Sequence, residues 1–90
     1  MLEGNVRIVN RLGLHARAAA QLVKVSGRFR SRLTLKKTDN SAEADAKSML
    51  DVLTLAASVD SVLELTADGD DESEAFESIS RLFASGFGEL

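Results

Sequence analysis

The residues best equipped for chemistry in this chain are His15 and Arg17, in the run Gly13-Leu14-His15-Ala16-Arg17-Ala18-Ala19-Ala20. His15 is the only histidine. A neutral imidazole is a good nucleophile near pH 7 and is among the side chains that form covalent intermediates. The alanine-rich residues after it read as the start of a helix. A helix start leaves backbone N–H groups without intrahelical partners and carries the positive end of the macrodipole, so it receives phosphate readily. A side chain that can take a phosphoryl group, set beside amides that can hold its oxygens, outlines a phosphoryl carrier. In that outline His15 is the acceptor. The backbone N–H groups of Ala16 and Arg17 bind phosphoryl oxygens, and the Arg17 guanidinium pairs with the charge. Arg11 stands across the turn, and Gly13 allows the bend that projects His15 outward. From residue types alone the plainer alternative weighs more: a lone histidine ahead of a helix is more often a cap or a surface residue, and a lone arginine a solvated charge.

The elements that must position this run follow from hydropathy patterning. Leu2, Val6 and Ile8 alternate with Glu3, Asn5 and Arg7, a first strand over residues 2–9. A turn follows from Asn10 to Gly13. The first helix covers residues 16–26, with Ala16, Ala19, Ala20 and Val23 at helical spacing and Leu22 beside them; Gly27 stops it. Residues 29–37 form a second strand, and Ala42, Ala44 and Ala46, alternating with Glu43 and Asp45, a short third one. Ser48 opens a second helix that ends near Ala57, with Ser48 and Asp51 at capping-box spacing. Residues 61–67 are a fourth strand. The last helix begins among Asp70, Asp71, Glu72 and Glu74, acids suited to its positive end, and carries the stripe Phe76, Ile79 and Phe83 before Ser85-Gly86 stops it. The order βαββαβα predicts an α+β domain of two layers, with three helices on one face of a four-stranded, mainly antiparallel sheet.

Composition narrows the function classes. Ninety residues make one domain with one modest core. Without cysteine there is no disulfide framework and no thiolate nucleophile, and a single histidine makes a metal site improbable. No apolar run is long enough to cross a membrane and no signal-peptide pattern opens the chain, so a soluble, cytoplasmic protein is expected. The formal charge of −3 hides an asymmetry: residues 1–45 hold nine Lys or Arg against four acids, residues 46–90 two against ten. That distribution argues against nucleic-acid binding and lets the basic half meet an acidic partner.

The run Gly13-Leu14-His15-Ala16-Arg17-Ala18-Ala19 closely resembles the active-site motif of the HPr family, the histidine-containing phosphocarriers of the bacterial phosphoenolpyruvate-dependent phosphotransferase system. Lys47-Ser48-Met49 resembles the family's second signature, around a regulatory serine, and Gly86-Phe87-Gly88-Glu89 looks like its usual ending. The likeness spans essentially residues 1–90 as one HPr-like domain and implies an open-faced β-sandwich. It implies that His15 is phosphorylated on Nδ1 by enzyme I, which takes the group from phosphoenolpyruvate, and that His15 passes it to an EIIA-type domain for sugar uptake and regulation. Arg17 is implied to neutralise the group in transit. The protein would then be a covalent relay, not a stand-alone enzyme, working as a monomer with no cofactor or metal. Two positions depart from the family pattern. Ala18 stands where proline is usual, at small expected cost. Asp51 stands where a small or basic residue is common, and adds negative charge beside the expected docking surface.

Ser48 reads from its residue type as a helix N-cap; the resemblance adds phosphorylation by an HPr kinase/phosphorylase. Met49, Leu50 and Leu53, with Ala16 and Ala20, would form an apolar docking rim around His15. The alternative is that they are core; Val52 and Ala56 are assigned inward, and Leu50 and Leu53 are left open. A nitrogen-type regulatory relay is a variant of the same reading, favoured faintly by the Ser85-Gly86-Phe87 ending and the acidic last helix. A non-catalytic RNA-binding module is the competing class. It would need aromatic residues on the sheet, yet three of the four, Phe76, Phe83 and Phe87, lie in or after the last helix, leaving Phe29.

Overall fold

Period-two alternation in four segments builds one sheet with one apolar face. A computed structural model describes residues 1–89. The strands are β1 (Leu2–Arg7), β2 (Arg32–Lys37), β3 (Glu43–Asp45) and β4 (Val62–Asp68). They run in the order β1-β4-β2-β3, every pair antiparallel. Gly4, Leu65, Leu35 and Ala44 fall in register across all four strands. They sit under the helices with the buried side chains of Val6, Leu33, Leu63 and Ala67. Glu3, Arg7, Arg32, Glu43 and Asp45 alternate with them and are exposed. The helices α1 (Ala16–Ser26), α2 (Met49–Leu55) and α3 (Glu72–Ala84) complete the order βαββαβα, and a 3₁₀ turn over Gly86–Gly88 follows. This is the two-layer α+β domain that the patterning predicts and the open-faced sandwich that the resemblance implies.

The helices pack differently in detail. The buried stripe of α1 is Ala18, Ala19, Leu22 and Ser26; Ala16 and Ala20 are exposed and Val23 is half-buried. Leu22 sets the rotation, because Ala18, Ala19 and Ser26 are its neighbours at i−4, i−3 and i+4. Alanine is at home on either side of a helix, so the run of alanines alone does not mark the inward face. In α2 Val52 is buried as expected, but Ala56 is not. It lies past the helix end in the left-handed region (φ 51°), exposed, and Leu55 takes the inward place.

Strand ends move for identifiable reasons. β1 ends at Arg7, two residues early. Ile8 stays in the core but bonds to the 58–61 loop, its N–H donating to the Ser61 carbonyl (3.0 Å) and its carbonyl accepting from Asp60 N–H (2.7 Å). β2 starts at Arg32 rather than residue 29, because the preceding amides turn to a side chain. Asp71, the N-cap of α3, accepts from Arg30 N–H (2.9 Å), Ser31 N–H (3.0 Å) and the Ser31 hydroxyl (2.5 Å). The Ser31 hydroxyl, then the Arg30 amide, holds the Asp71 carboxyl down at about 2.

The turn ahead of α1 is pinned from beneath. Gly13 has φ +65°, and a Cβ there would lie 2.5 Å from the Ala57 carbonyl oxygen and 2.9 Å from Ser58 Cα. Leu14 N–H donates to that same Ala57 carbonyl (3.0 Å), and Leu14 is buried. The chain therefore enters α1 at a fixed height over the α2–β4 loop.

Two outcomes follow. Asp71→Asn lowers the melting temperature by several degrees at pH 6, and the deficit narrows in acid. The folded-state value of about 2 lies below the unfolded 3.8, so the carboxylate's contribution is complete above the unfolded value and is lost as pH falls through the folded one; melting curves between pH 6 and pH 2 measure it. Gly13→Ala costs about 1–3 kcal/mol, from left-handed strain and the blocked contact with Ala57. Urea unfolding gives the loss, and a shifted His15 ring resonance reports the displaced turn.

Candidate functional site

His15 is the N-cap of α1, in extended conformation (φ −75°, ψ −179°). Its carbonyl accepts the first ladder bond, from Ala19 N–H at 2.8 Å. Its side chain does what a serine or aspartate oxygen does at most caps: Nδ1 accepts from Arg17 N–H at 3.3 Å. The cap reading of the lone histidine is therefore correct, and it places Nδ1 among the free amides of the helix start. Ala16 N–H has no acceptor among the described residues. The ring is neither sealed nor fully open, with 26% of the side chain exposed.

The other nitrogen meets a residue from the far end of the chain. Nε2 lies 2.6 Å from Glu89 Oε2. An ionised carboxylate only accepts, so Nε2 carries the hydrogen and Nδ1, facing an N–H donor, does not. Glu89 is itself held. Asn10, fully buried, donates both amide hydrogens: one to Glu89 Oε1 and one to the Gly13 carbonyl, each at 2.9 Å. The Asn10 amide, and with it His15, keeps the Glu89 carboxyl below the usual carboxylate range against the opposing pull of burial. Glu89 reaches the site on the 3₁₀ turn after α3. There Phe87, left-handed at φ 55°, buries its ring edge-on against Phe83 with centroids 5.0 Å apart. Gln21 of α1 donates its side-chain amide to the Phe87 carbonyl (3.0 Å), fastening this strap across the helix.

Arg17 is brought to the site by its backbone, and its exposed side chain lines an open cleft with Arg11, Leu12, Gly88 and Glu89. Two guanidinium groups thus border the cleft beside the histidine. Leu12, 70% exposed, belongs to the same edge.

Ser48 caps α2, its Oγ accepting from Asp51 N–H at 3.2 Å. The capping box is not reciprocal. Ser48 N–H donates to the Asp45 carbonyl (2.9 Å), while the Asp51 carboxylate turns to Asp45 N–H (3.2 Å) and the Asp45 carboxylate to Lys47 N–H (2.9 Å). Lys47 Nζ is drawn off to the Phe29 carbonyl (2.7 Å). Ser48 is thereby half-buried next to two carboxylates. Of the rim residues, Leu50 is 75% exposed, Leu53, Ala16 and Ala20 are exposed, and Met49 is half-buried against the core. α1 packs along α2, which puts these residues on adjoining helices.

Sequence reasoning singled out His15, Arg17 and Ser48 but passed over Asn10 and Glu89, which the fold brings to His15. Asn10 reads only as turn chemistry and Glu89 only as part of an ending. Their meeting spans 79 residues of chain, and no local spacing encodes it. Among the described residues no group of three or more His, Cys, Asp or Glu could hold a metal ion, and no helix is long and apolar enough to cross a membrane.

Comparison with known proteins gives one consistent result. The family model described as the PTS HPr component phosphorylation site matches residues 2–85. The phosphocarrier protein HPr of Cupriavidus necator is 43% identical over 89 residues, covering 99% of this chain and 98% of that one. The phosphocarrier protein NPr of Proteus mirabilis is 42% identical over 84 residues, 93% of this chain and 92% of that one. The crystal structure of HPr-C-His from Thermoanaerobacter tengcongensis superposes with a TM-score of 0.94 at 38% identity, covering 100% of this chain and 99% of that one. With sequence, fold and relatives in agreement along nearly its whole length, the chain belongs to the HPr family of phosphotransferase-system phosphocarriers.

Proposed function

We propose that this protein accepts a phosphoryl group on Nδ1 of His15 from phosphorylated enzyme I and delivers it to an EIIA-type domain. The observation that carries the reading is the placement of Nδ1 at the start of α1, where it accepts from the Arg17 amide at 3.3 Å. Its lone pair attacks phosphorus, and the bond between phosphorus and the donor's leaving atom breaks with the electron pair going to the donor. The Arg17 N–H then turns from Nδ1 to a phosphoryl oxygen, and the Ala16 N–H is available to another. The Arg17 guanidinium, free in solvent, swings over the group in transit and offsets its charge. The chain acts as a monomer in the cytoplasm, needs no cofactor, and supplies no catalysis beyond its own relay.

Exposed Ala16, Ala20, Leu50 and Leu53, with Met49 beneath, supply the apolar part of the partner-facing rim. Ser48 is the regulatory position of this reading, open to an HPr kinase/phosphorylase. A phosphate there adds charge beside Asp45 and Asp51, next to the surface an acidic partner approaches. The nitrogen-type version of the relay is supported by the similarity to an NPr chain and by the acidic first turn of α3, Glu72 and Glu74. The RNA-binding alternative loses its footing, because Phe83 and Phe87 are buried and Phe29 and Phe76 pack against the core, leaving no stacking platform.

Incubation with enzyme I and phosphoenolpyruvate yields one acid-labile phosphate on His15, and His15→Ala yields none. Label retained in His15→Ala ends the relay reading. Offering the loaded protein to sugar-type and nitrogen-type EIIA domains tells the two versions apart by rate. Ser48→Asp slows acceptance of the phosphoryl group several-fold while the domain stays folded by circular dichroism. Equal rates for variant and parent remove Ser48 from the regulatory scheme.

A further inference from the structure

We propose that the free edge of β1 pairs with the β1 edge of a second copy of this chain, antiparallel and centred on Asn5, so that two four-stranded sheets join into one. β1 ends the sheet, with β4 on its one occupied side. Ile8 bonds through both its N–H and its carbonyl to the 58–61 loop, on the β4 side. Backbone groups alternate between the two sides of a strand, so those of Val6 and Gly4 face β4 as well. The N–H and carbonyl groups of Glu3, Asn5 and Arg7 point the other way, where the sheet has no further strand.

The opposite edge of the sheet is closed. β3 has three residues, and Asp45 directs its N–H to the Asp51 carboxylate (3.2 Å) while its carbonyl accepts from Ser48 N–H (2.9 Å). Free edges invite pairing, and folded chains commonly shorten them or cover them in this manner. β1 has six residues and no proline, and no side chain among the described residues bonds to its outer backbone. α3 packs against β1 and leaves a groove along the edge, lined by Val6, Val9, Ser80, Phe83 and Ala84. Ser80 and Ala84 are small, so a strand can seat beside β1 without meeting a long side chain from the helix.

Charge selects both the occupant and the register. Glu3 and Arg7 are exposed, and within the chain they lie opposite Thr66 and Val62, so neither meets a counter-charge across the ladder. A one-residue slip would turn every side chain to the wrong face, so the allowed registers differ by two residues. Those that set Glu3 opposite Glu3, or Arg7 opposite Arg7, are repulsive. The register with Asn5 opposite Asn5 sets Glu3 of each copy against Arg7 of the other. It forms that ion pair twice and engages the whole outer backbone from Glu3 to Arg7. On the inner face it sets Gly4 against Val6, a bare backbone against a branched side chain. The edge is thus complementary to itself, which is what a two-fold contact requires.

The residues after β1 lead to His15, so the two histidines of such a pair lie at opposite ends of the joined edge. Each chain remains a complete relay unit, and pairing is a separate, concentration-dependent state of it. The inference does not depend on what His15 carries.

Sedimentation velocity on the full chain, run from micromolar to millimolar concentration, tests the pairing. The parent moves toward the mass of two chains as concentration rises, and backbone amides of Asn5 and Arg7 gain protection from hydrogen exchange over the same range. Glu3→Lys and Arg7→Glu each set like charges opposite one another in a pair of identical copies. Each weakens association by about tenfold or more, the consequence of replacing two attractive cross-strand pairs with two repulsive ones. Mixing the two variants in equal amounts restores association, because one copy of each recreates both opposite-charge pairs. Both substitutions are at exposed positions, and circular dichroism confirms the fold of each before mixing. A parent that stays a single chain throughout, single variants that associate like the parent, or a mixture that associates no better than its components overturns the proposal.

Discussion

The imidazole of His15 is held between a backbone N–H and a carboxylate, and most of the structure serves to keep those two groups in place. The amide belongs to Arg17 at the start of α1. The carboxylate belongs to Glu89, at the other end of the chain. Neither would stay in position without burial nearby. Gly13 and Leu14 press the approach to α1 onto the Ala57 carbonyl, and Phe87 sinks the strap into the core beside Phe83. Asn10 joins the two halves, spending both amide hydrogens on the turn and on Glu89. The imidazole is thus fixed by packing at one remove, which is how a small domain with few polar residues inside can aim a side chain.

Beneath the site the sheet supplies a flat apolar floor, and small residues set how close the helices come to it. Ala18, Ala19 and Ala75 are fully buried, and Gly4 leaves room for the ring of Phe76, which would stand 2.6 Å from a Cβ at that position. Close approach lets one core of modest side chains hold three helices. The polar ties sit at the rim of that core: Asp71 on Ser31 at one end, Asn10 on Glu89 at the other. Each joins segments that the ladder of the sheet does not reach.

Much of this was legible in the sequence. Alternation in the strands and helical spacing give the order βαββαβα, since those periods are set by backbone geometry alone. Histidine before an alanine run, and serine three residues before Asp51, mark two helix starts that the structure places where they were read. What escaped has a common cause. The rotation of α1 depends on Leu22 finding the core, which a stripe of interchangeable alanines does not reveal. Ala56 turned outward because the helix ended one residue before it. Asn10 and Glu89 escaped because their roles exist only after the chain closes on itself, and the early end of β1 and the late start of β2 likewise reflect tertiary bonds to Asp60, Ser61 and Asp71.

The cap of α1 has one more implication. Helix and ring share a single hydrogen bond, from Arg17 N–H to Nδ1, so under the proposed relay a cargo on that nitrogen would take over the cap. Loading and folding then form one thermodynamic cycle, and whatever the cargo adds to the heat resistance of the domain must be subtracted from its tendency to leave. A single bond of 3.3 Å, with the Ala16 N–H left without an acceptor among the described residues, is an incomplete cap. That leaves the loaded form something to gain, and the size of that gain is the depth of the well from which the group must later be lifted.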